Sequence, residues 1–271
     1  MRTPRFGLIV VVAVLAAAFM LVTPGAADGQ VSFPQKMAAV GDSITTATDV
    51  DWCCVNPDGR NPQYSWSTGT DPSVFSHYQR LLAASSGAPL TTLNAAVPGA
   101  DSSDLRTQLG QAAGFGAEYV TVLMGGNDVC WNPTPLGVFR QRVKAAFADY
   151  FAAAPNSQVF VSSIPNIYRL WSTLHTNFWA QLTWNVFDIC PEMLSSSTTE
   201  AQRQKLLQLE QSFNDVLAST CAQYTGCRWD GYATFNCNFT AGDISPVDYF
   251  HPSVQGQNTL ARVTWNASYW G

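Results

Sequence analysis

Tyr119-Val120-Thr121-Val122-Leu123-Met124 is a continuous apolar run rich in β-branched residues, and it stops at Gly125-Gly126-Asn127-Asp128. A strand with one wet face alternates polar and apolar side chains, whereas a strand without a polar face must be covered on both sides. Sheets covered on both faces are parallel ones, because their crossover helices lie above and below. This run therefore constrains the chain to a parallel α/β architecture before any other segment is considered.

The flanking segments agree. Met37 to Gly41 reads as a short buried strand ending at a glycine turn, and Pro89 to Ala96 as a second strand closed by Pro98-Gly99. Gln158 to Ser163 is another β run, and Arg228-Trp229 a short last strand. Asp71-Pro72 reads as an N-cap and first turn, with Val74, Phe75, Tyr78, Leu81 and Leu82 continuing a helix to about Ser86. Ser102 or Ser103 is expected to cap a helix near Leu105 and Leu109. Pro135 to Ala153 is helical by spacing, with Val138, Val143, Phe147 and Phe151 in the buried stripe; Thr199 to Tyr224 is a long amphipathic helix. Pro252 stands where a last helix starts, and Asp49 to Thr70 reads as a long loop. The alternation predicts a three-layer α/β/α sandwich on a mainly parallel five-stranded sheet. Ligands of such sheets sit beyond the carboxyl ends of the strands. Ser43, Gly99 and Asn127 each follow directly on a predicted strand, so they converge on that edge.

The first residues belong to a different class. Met1 to Arg5 is a short basic start, Phe6 to Val22 is almost entirely apolar, and Thr23 to Ala27 is small and Pro-Gly-Ala-rich. That order is a secretory signal over 1–27, with residues 28–271 as a single domain; an uncleaved membrane anchor is the alternative. The expected location is extracellular. A net charge of −5 without a Lys/Arg cluster in the mature region argues against nucleic acid as a partner.

Seven cysteines in an exported chain read as disulfides. No CxxC pair occurs, and His77, His175 and His251 lie far apart without ligand spacing, so a metal site is not expected. Cys221 and Cys227 could staple a short loop, Cys130 could reach Cys190, and Cys237 could pair with Cys53 or Cys54; spacing alone does not fix the connectivity.

Four separated segments carry parts of an acyl-transfer site: Gly41-Asp42-Ser43-Ile44, Asn94 to Gly99, Gly125-Gly126-Asn127-Asp128 and Asp248-Tyr249-Phe250-His251. Ser43 can supply a nucleophile, His251 its base, and Asp248, three positions upstream, the group that orients the imidazole. Each has a plainer reading: serine as a turn or cap residue, Asn127 as an Asx-turn residue, Gly99 as a turn glycine, His251 as a surface residue before proline. His77 and His175 are read as ordinary. Taken together, and in this order, the four segments resemble the SGNH (GDSL-type) serine esterases and lipases, with Ile44 in place of the leucine of the simplest GDSL pattern. The resemblance covers most of residues 37 to 265. It implies catalysis by Ser43, His251 and Asp248, an oxyanion held by Ser43 N–H, Gly99 N–H and the Asn127 side chain, and no cofactor. It implies a small-molecule or lipid ester substrate; a monomer without a membrane span after signal cleavage is expected. A carbohydrate acetyl esterase, a phospholipase, or a silent secreted lipid- or carbohydrate-binding protein are the alternatives. The aromatic segment Tyr168 to Trp184 is either core or an apolar pocket or lid, and spacing does not decide between them.

Overall fold

The computed structural model describes Met1, residues 33–52 and residues 58–271. The expected leader beyond Met1, and Cys53 and Cys54, lie outside the described residues. Within the compact unit Ser32–Gly271, five strands run parallel in the order β2-β1-β3-β4-β5. They are β1 (Lys36–Gly41), β2 (Thr91–Asn94), β3 (Tyr119–Leu123), β4 (Gln158–Val161) and β5 (Cys227–Trp229). The sheet is thus wholly parallel, on the predicted strands.

Strand chemistry follows position. The inner strands β1, β3 and β4 are buried almost throughout, while edge strands β2 and β5 carry the exposed polar positions. Alternation along the pleat sends side chains to two cores. Val40, Val120, Val122, Val159 and Val161 pack with α2 (Leu105–Phe115), α4 (Leu136–Ala153) and α8 (Glu200–Cys221), where Phe139 stacks on Phe213 at 4.1 Å between centroids. Met37, Tyr119 and Phe160 pack on the other face, with Leu81 from α1 (His77–Ala84) and Leu260 from α9 (Val254–Ala267). A right-handed crossover sends its helix to one face when the chain moves one way along the sheet and to the other when it moves back. The order 2-1-3 reverses that direction at β1, which leaves a crevice between the carboxyl ends of β1 and β3.

The remaining helices crowd that end: α3 (Gly126–Val129), α5 (Ile167–Leu174), α6 (Phe178–Val186) and α7 (Pro191–Leu194). Arg203 of α8 fastens the chain after α7, donating to the carbonyls of Met193, Ser195 and Thr198 at 2.6–2.8 Å while its guanidinium lies 4.2 Å from the Trp171 ring centre.

Several expectations are corrected. Helix α1 starts at His77 and not at Asp71: Phe75 holds a left-handed φ of +48°, which a helix does not tolerate, and Ser76 with Gln79 forms a reciprocal capping box. Neither Ser102 nor Ser103 caps α2; the N-cap is Asp104, and both hydroxyls bond aspartates instead. Val138 is exposed, and Phe139 takes the buried position beside it. His77 is a core residue, with Nδ1 2.9 Å from Tyr119 Oη and Nε2 2.8 Å from Thr264 Oγ1.

Among the described residues, two disulfides join Cys130 to Cys190 and Cys221 to Cys227. Among the described residues Cys237 is a free thiol and not half of a bridge; its expected partners Cys53 and Cys54 lie outside the described residues. The turn carrying Cys237 is held by Arg169, whose guanidinium donates to the carbonyls of Asn236 and Cys237 at 3.1 Å each. Among the described residues, no helix is long and apolar enough to cross a membrane.

Candidate active site

The site is assembled from the ends of three adjacent strands and one loop. Gly41 closes β1, where a Cβ would stand 2.5 Å from both Leu123 O and Thr45 Oγ1, so a side chain does not fit. Buried Gln108 of α2 grips its backbone, accepting from Gly41 N–H at 2.8 Å and donating to Gly41 O at 3.0 Å. Immediately beyond, the chain winds into a turn. The Asp42 carbonyl accepts from the N–H groups of Thr45 and Thr46, and the Ser43 carbonyl from Thr48 N–H at 2.9 Å. Ser43 is 8% exposed on this turn. Burial pushes the Asp42 carboxyl up to about 6, although Ile44 N–H bonds it at 2.9 Å. From the opposite side, Gln257 of α9 donates to Ile44 O at 2.8 Å and accepts from Trp66 N–H at 3.0 Å.

Gly99, after β2, has a φ of +79°, a region open to glycine at little cost, and open space where a Cβ would point. Among the described residues, neither Ser43 N–H nor Gly99 N–H has a backbone acceptor. Asn127 lies in the short helix α3 after β3 and donates one amide hydrogen to Ala100 O at 2.8 Å, which leaves the other for a ligand. Asp128 braces the same junction: its two oxygens accept from Ser102 N–H at 2.8 Å and Ser102 Oγ at 2.6 Å.

The histidine loop folds back on itself. Tyr249 takes a left-handed φ of +57°, and Asp248 Oδ1 accepts from the N–H groups of Phe250 at 2.9 Å and His251 at 3.0 Å. Asp248 Oδ2 is then 2.5 Å from His251 Nδ1. Ser245 N–H donates to His251 O at 2.8 Å, and Ser253 caps α9 just beyond. Burial pulls the imidazole pKa down, but the Asp248 charge and hydrogen bond, with Asp49 and Asp42, outweigh it and raise it above its ordinary value. Burial likewise works against the Asp248 carboxylate, and the imidazole and the two backbone donors bring its pKa below the ordinary one. Asp49 completes a cluster in which one ligating atom each from Asp49, Asp248 and His251 lies within 4.8 Å of the others. Burial and the Asp248 charge raise the pKa of Asp49.

The structure joins Asp248 to His251, and the Asn127 segment to the Gly99 loop. It does not join Ser43 to His251: Nε2 is buried and has no hydrogen-bond partner among the described residues. Such bonds are commonly long before substrate arrives. Sequence reasoning passed over Gln108, Ser102, Gln257 and Asp49. For Gln108 a signal existed, since an uncharged amide stood on the face that buries Leu105, Leu109 and Ala112.

Next to these groups lies an apolar cavity of about 70 Å³. Its wall includes Ile44, Gly126, Phe250 and Pro252, the chain neighbours of Ser43, Asn127 and His251, together with Ile164 and Leu170. The aromatic segment divides. Trp184 is buried, its indole N–H donating to Tyr249 O at 3.0 Å, while Phe178 and Trp179 are exposed.

Comparison with known proteins bears on the same elements. No curated protein matches the chain. Among solved structures, TesA is 18% identical with a TM-score of 0.54, covering 86% of this chain and 97% of its own. A phospholipase A1 from Streptomyces albidoflavus NA297 is 18% identical with a TM-score of 0.52, covering 87% and 100%. The acetyl xylan esterase AlAXEase is 16% identical with a TM-score of 0.52, covering 86% and 98%. At such identities the likeness is one of fold. The model of the GDSL-like lipase/acylhydrolase family matches residues 39–258, from within β1 into α9, and the chain belongs to that family.

Proposed function

We propose that this protein is a secreted, monomeric serine hydrolase that cleaves carboxylic esters. Ser43 Oγ attacks the ester carbonyl carbon while His251 Nε2 takes its proton, and Asp248 holds the imidazole in the tautomer that leaves Nε2 free. The carbonyl oxygen, now negative, accepts from Ser43 N–H, Gly99 N–H and Asn127 Nδ2. The alcohol leaves with the proton from His251, and water then hydrolyses the acyl-enzyme by the same steps in reverse roles. No cofactor takes part.

The observation that carries this reading is the His251 imidazole itself. Its Nδ1 is engaged by a carboxylate with two further backbone donors, and its Nε2 is buried without a partner among the described residues, at the sheet edge that carries Ser43. The apolar cavity favours an acyl group over a sugar ring as the part of the substrate bound beside it. Its two charged lining residues are occupied, Arg169 by carbonyls and Asp243 by Thr240 and Thr259. Two disulfides fit an oxidising exterior.

The test is hydrolysis of p-nitrophenyl esters from acetate to palmitate by the purified protein and its Ser43→Ala variant. Turnover that the variant loses supports the reading, and the preferred chain length separates an acetyl esterase from a lipase. A folded wild type inactive on the whole series, or a variant that keeps its activity, refutes it.

A further inference from the structure

Helix α6 turns its apolar face outward. Phe178 is 68% exposed, Trp179 61%, Leu182 43%, Val186 63%, and Phe187, just past its end, 72%. These side chains expose roughly 600 Å², at the upper end of the largest apolar patch on an ordinary monomer. The helix is not waiting to fold on a partner. Asn177 caps it, accepting from the N–H groups of Trp179 and Ala180, and Ala180 and Trp184 bury its inner side.

Its anchors lead to the site. The Trp184 indole N–H donates to Tyr249 O, two residues before His251. The chain just past α6 is bonded covalently to the Asn127 segment through Cys130–Cys190, and Trp131 Nε1 donates to Asp188 O at 2.6 Å. Trp131 is itself 42% exposed.

We propose that the outer face of α6 docks the protein on the surface of uncharged or zwitterionic lipid, with the site mouth held at that surface. From Asn177 to Phe187 no residue is charged, so the face matches a lipid surface without net charge. A net charge of −5 works against an anionic one. The tryptophan and phenylalanine side chains suit the boundary between headgroups and acyl chains. A second copy of the chain fits less well, because each partner of a stable dimer contributes about 800 Å². This inference rests on the ester-hydrolase reading for its purpose, though not for its test.

The test separates the two. The Ser43→Ala protein is mixed with phosphatidylcholine vesicles and its partitioning measured by sedimentation, with and without the further changes Phe178→Ser and Trp179→Ser. The expected result is binding that the double change weakens at least about tenfold, with no gain when phosphatidylglycerol is added. Circular dichroism and an unchanged urea midpoint show that the double variant is folded, and in the Ser43 background it hydrolyses soluble p-nitrophenyl acetate at the unchanged rate. Absence of vesicle binding overturns the proposal, as does binding equal in both proteins. A dimer seen by analytical ultracentrifugation and abolished by the double change overturns it too, and makes α6 an interface between copies. Should the wild type hydrolyse no ester, vesicle binding by the Ser43→Ala protein still reports on α6 alone.

Discussion

Ser102 holds both carboxylate oxygens of Asp128, one through its N–H at 2.8 Å and the other through Oγ at 2.6 Å. The pair ties the loop after β2 to the segment after β3. It therefore fixes the distance between Gly99 N–H and Asn127 Nδ2, two of the three donors assigned to the oxyanion. Asp128 is buried, and burial raises its pKa against the lowering from Ser102 and Thr134.

Removing the Ser102 hydroxyl should relax that spacing without removing a donor. Ser102→Ala is expected to lower kcat by about 10- to 100-fold, the scale of a misplacement near 1 Å, with KM little changed. Ser102→Thr, which keeps the hydroxyl, should restore much of the loss. Steady-state kinetics on a soluble ester with all three proteins decides it; a fall confined to KM would mean that the pair shapes substrate binding instead.

Asn127 makes one structural bond and is proposed to make one catalytic bond, with different energies. Its bond to Ala100 O at 2.8 Å contributes about 1 kcal/mol to stability, whereas an oxyanion donor contributes about 10²–10³ in turnover. Asn127→Ala should therefore cost two to three decades of kcat, in the sense of that same range, and only a few degrees of melting temperature. Unchanged turnover in a folded variant would remove Asn127 from the mechanism.

Asp49 was not visible from sequence as part of the site, yet its carboxylate helps to raise the His251 pKa. In the proposed mechanism the base is the neutral imidazole, so kcat/KM is expected to fall as pH drops through that raised pKa. In Asp49→Asn one source of the rise is gone, the pKa falls, and the acid limb moves to lower pH. Asp248 keeps the tautomer, so the plateau rate stays within a few-fold. A pH profile of kcat/KM for the two proteins checks this, and an unmoved acid limb contradicts it.

How much was legible follows from distance along the chain. Ser43, Gly99 and Asn127 could be placed because each stands directly after a strand whose own sequence marked it, and Asp248 with His251 because three residues suffice to fold one onto the other. Gln108 and Gln257 were not, since their partners Gly41 and Ile44 lie 67 and 213 residues away; an amide on a buried helix face signals that Gln108 is paired, but nothing local names the partner. Helix α1 was begun too early because Asp71-Pro72 is a good start signal in isolation; the capping box of Ser76 and Gln79, with Phe75 in the left-handed region, outweighs it. The α6 aromatics show the limit of hydrophobicity as a guide: Trp184 and Trp179 are the same residue type on one helix, buried and exposed respectively.

His77 shows what the core asks of a titratable group. Burial, with Arg80 nearby, brings its pKa down to about 3, and the neutral ring bonds Tyr119 and Thr264. Below the ordinary value of 6.5 the unfolded chain takes up a proton that the folded one refuses, so the stability contributed by this residue falls as pH drops from 6.5 towards 3 and is flat above. Between pH 7 and pH 5 the loss is about 2 kcal/mol. His251 acts in the opposite sense, since its folded pKa is raised, and the net dependence of the wild type does not isolate His77. The difference between wild type and His77→Gln does. The variant should be less stable at pH 7 by about 2–3 kcal/mol, from two lost hydrogen bonds and imperfect packing, and the gap should narrow by about 2 kcal/mol at pH 5. Urea unfolding at both pH values measures it, and a gap that stays constant would mean that His77 is protonated in the folded protein.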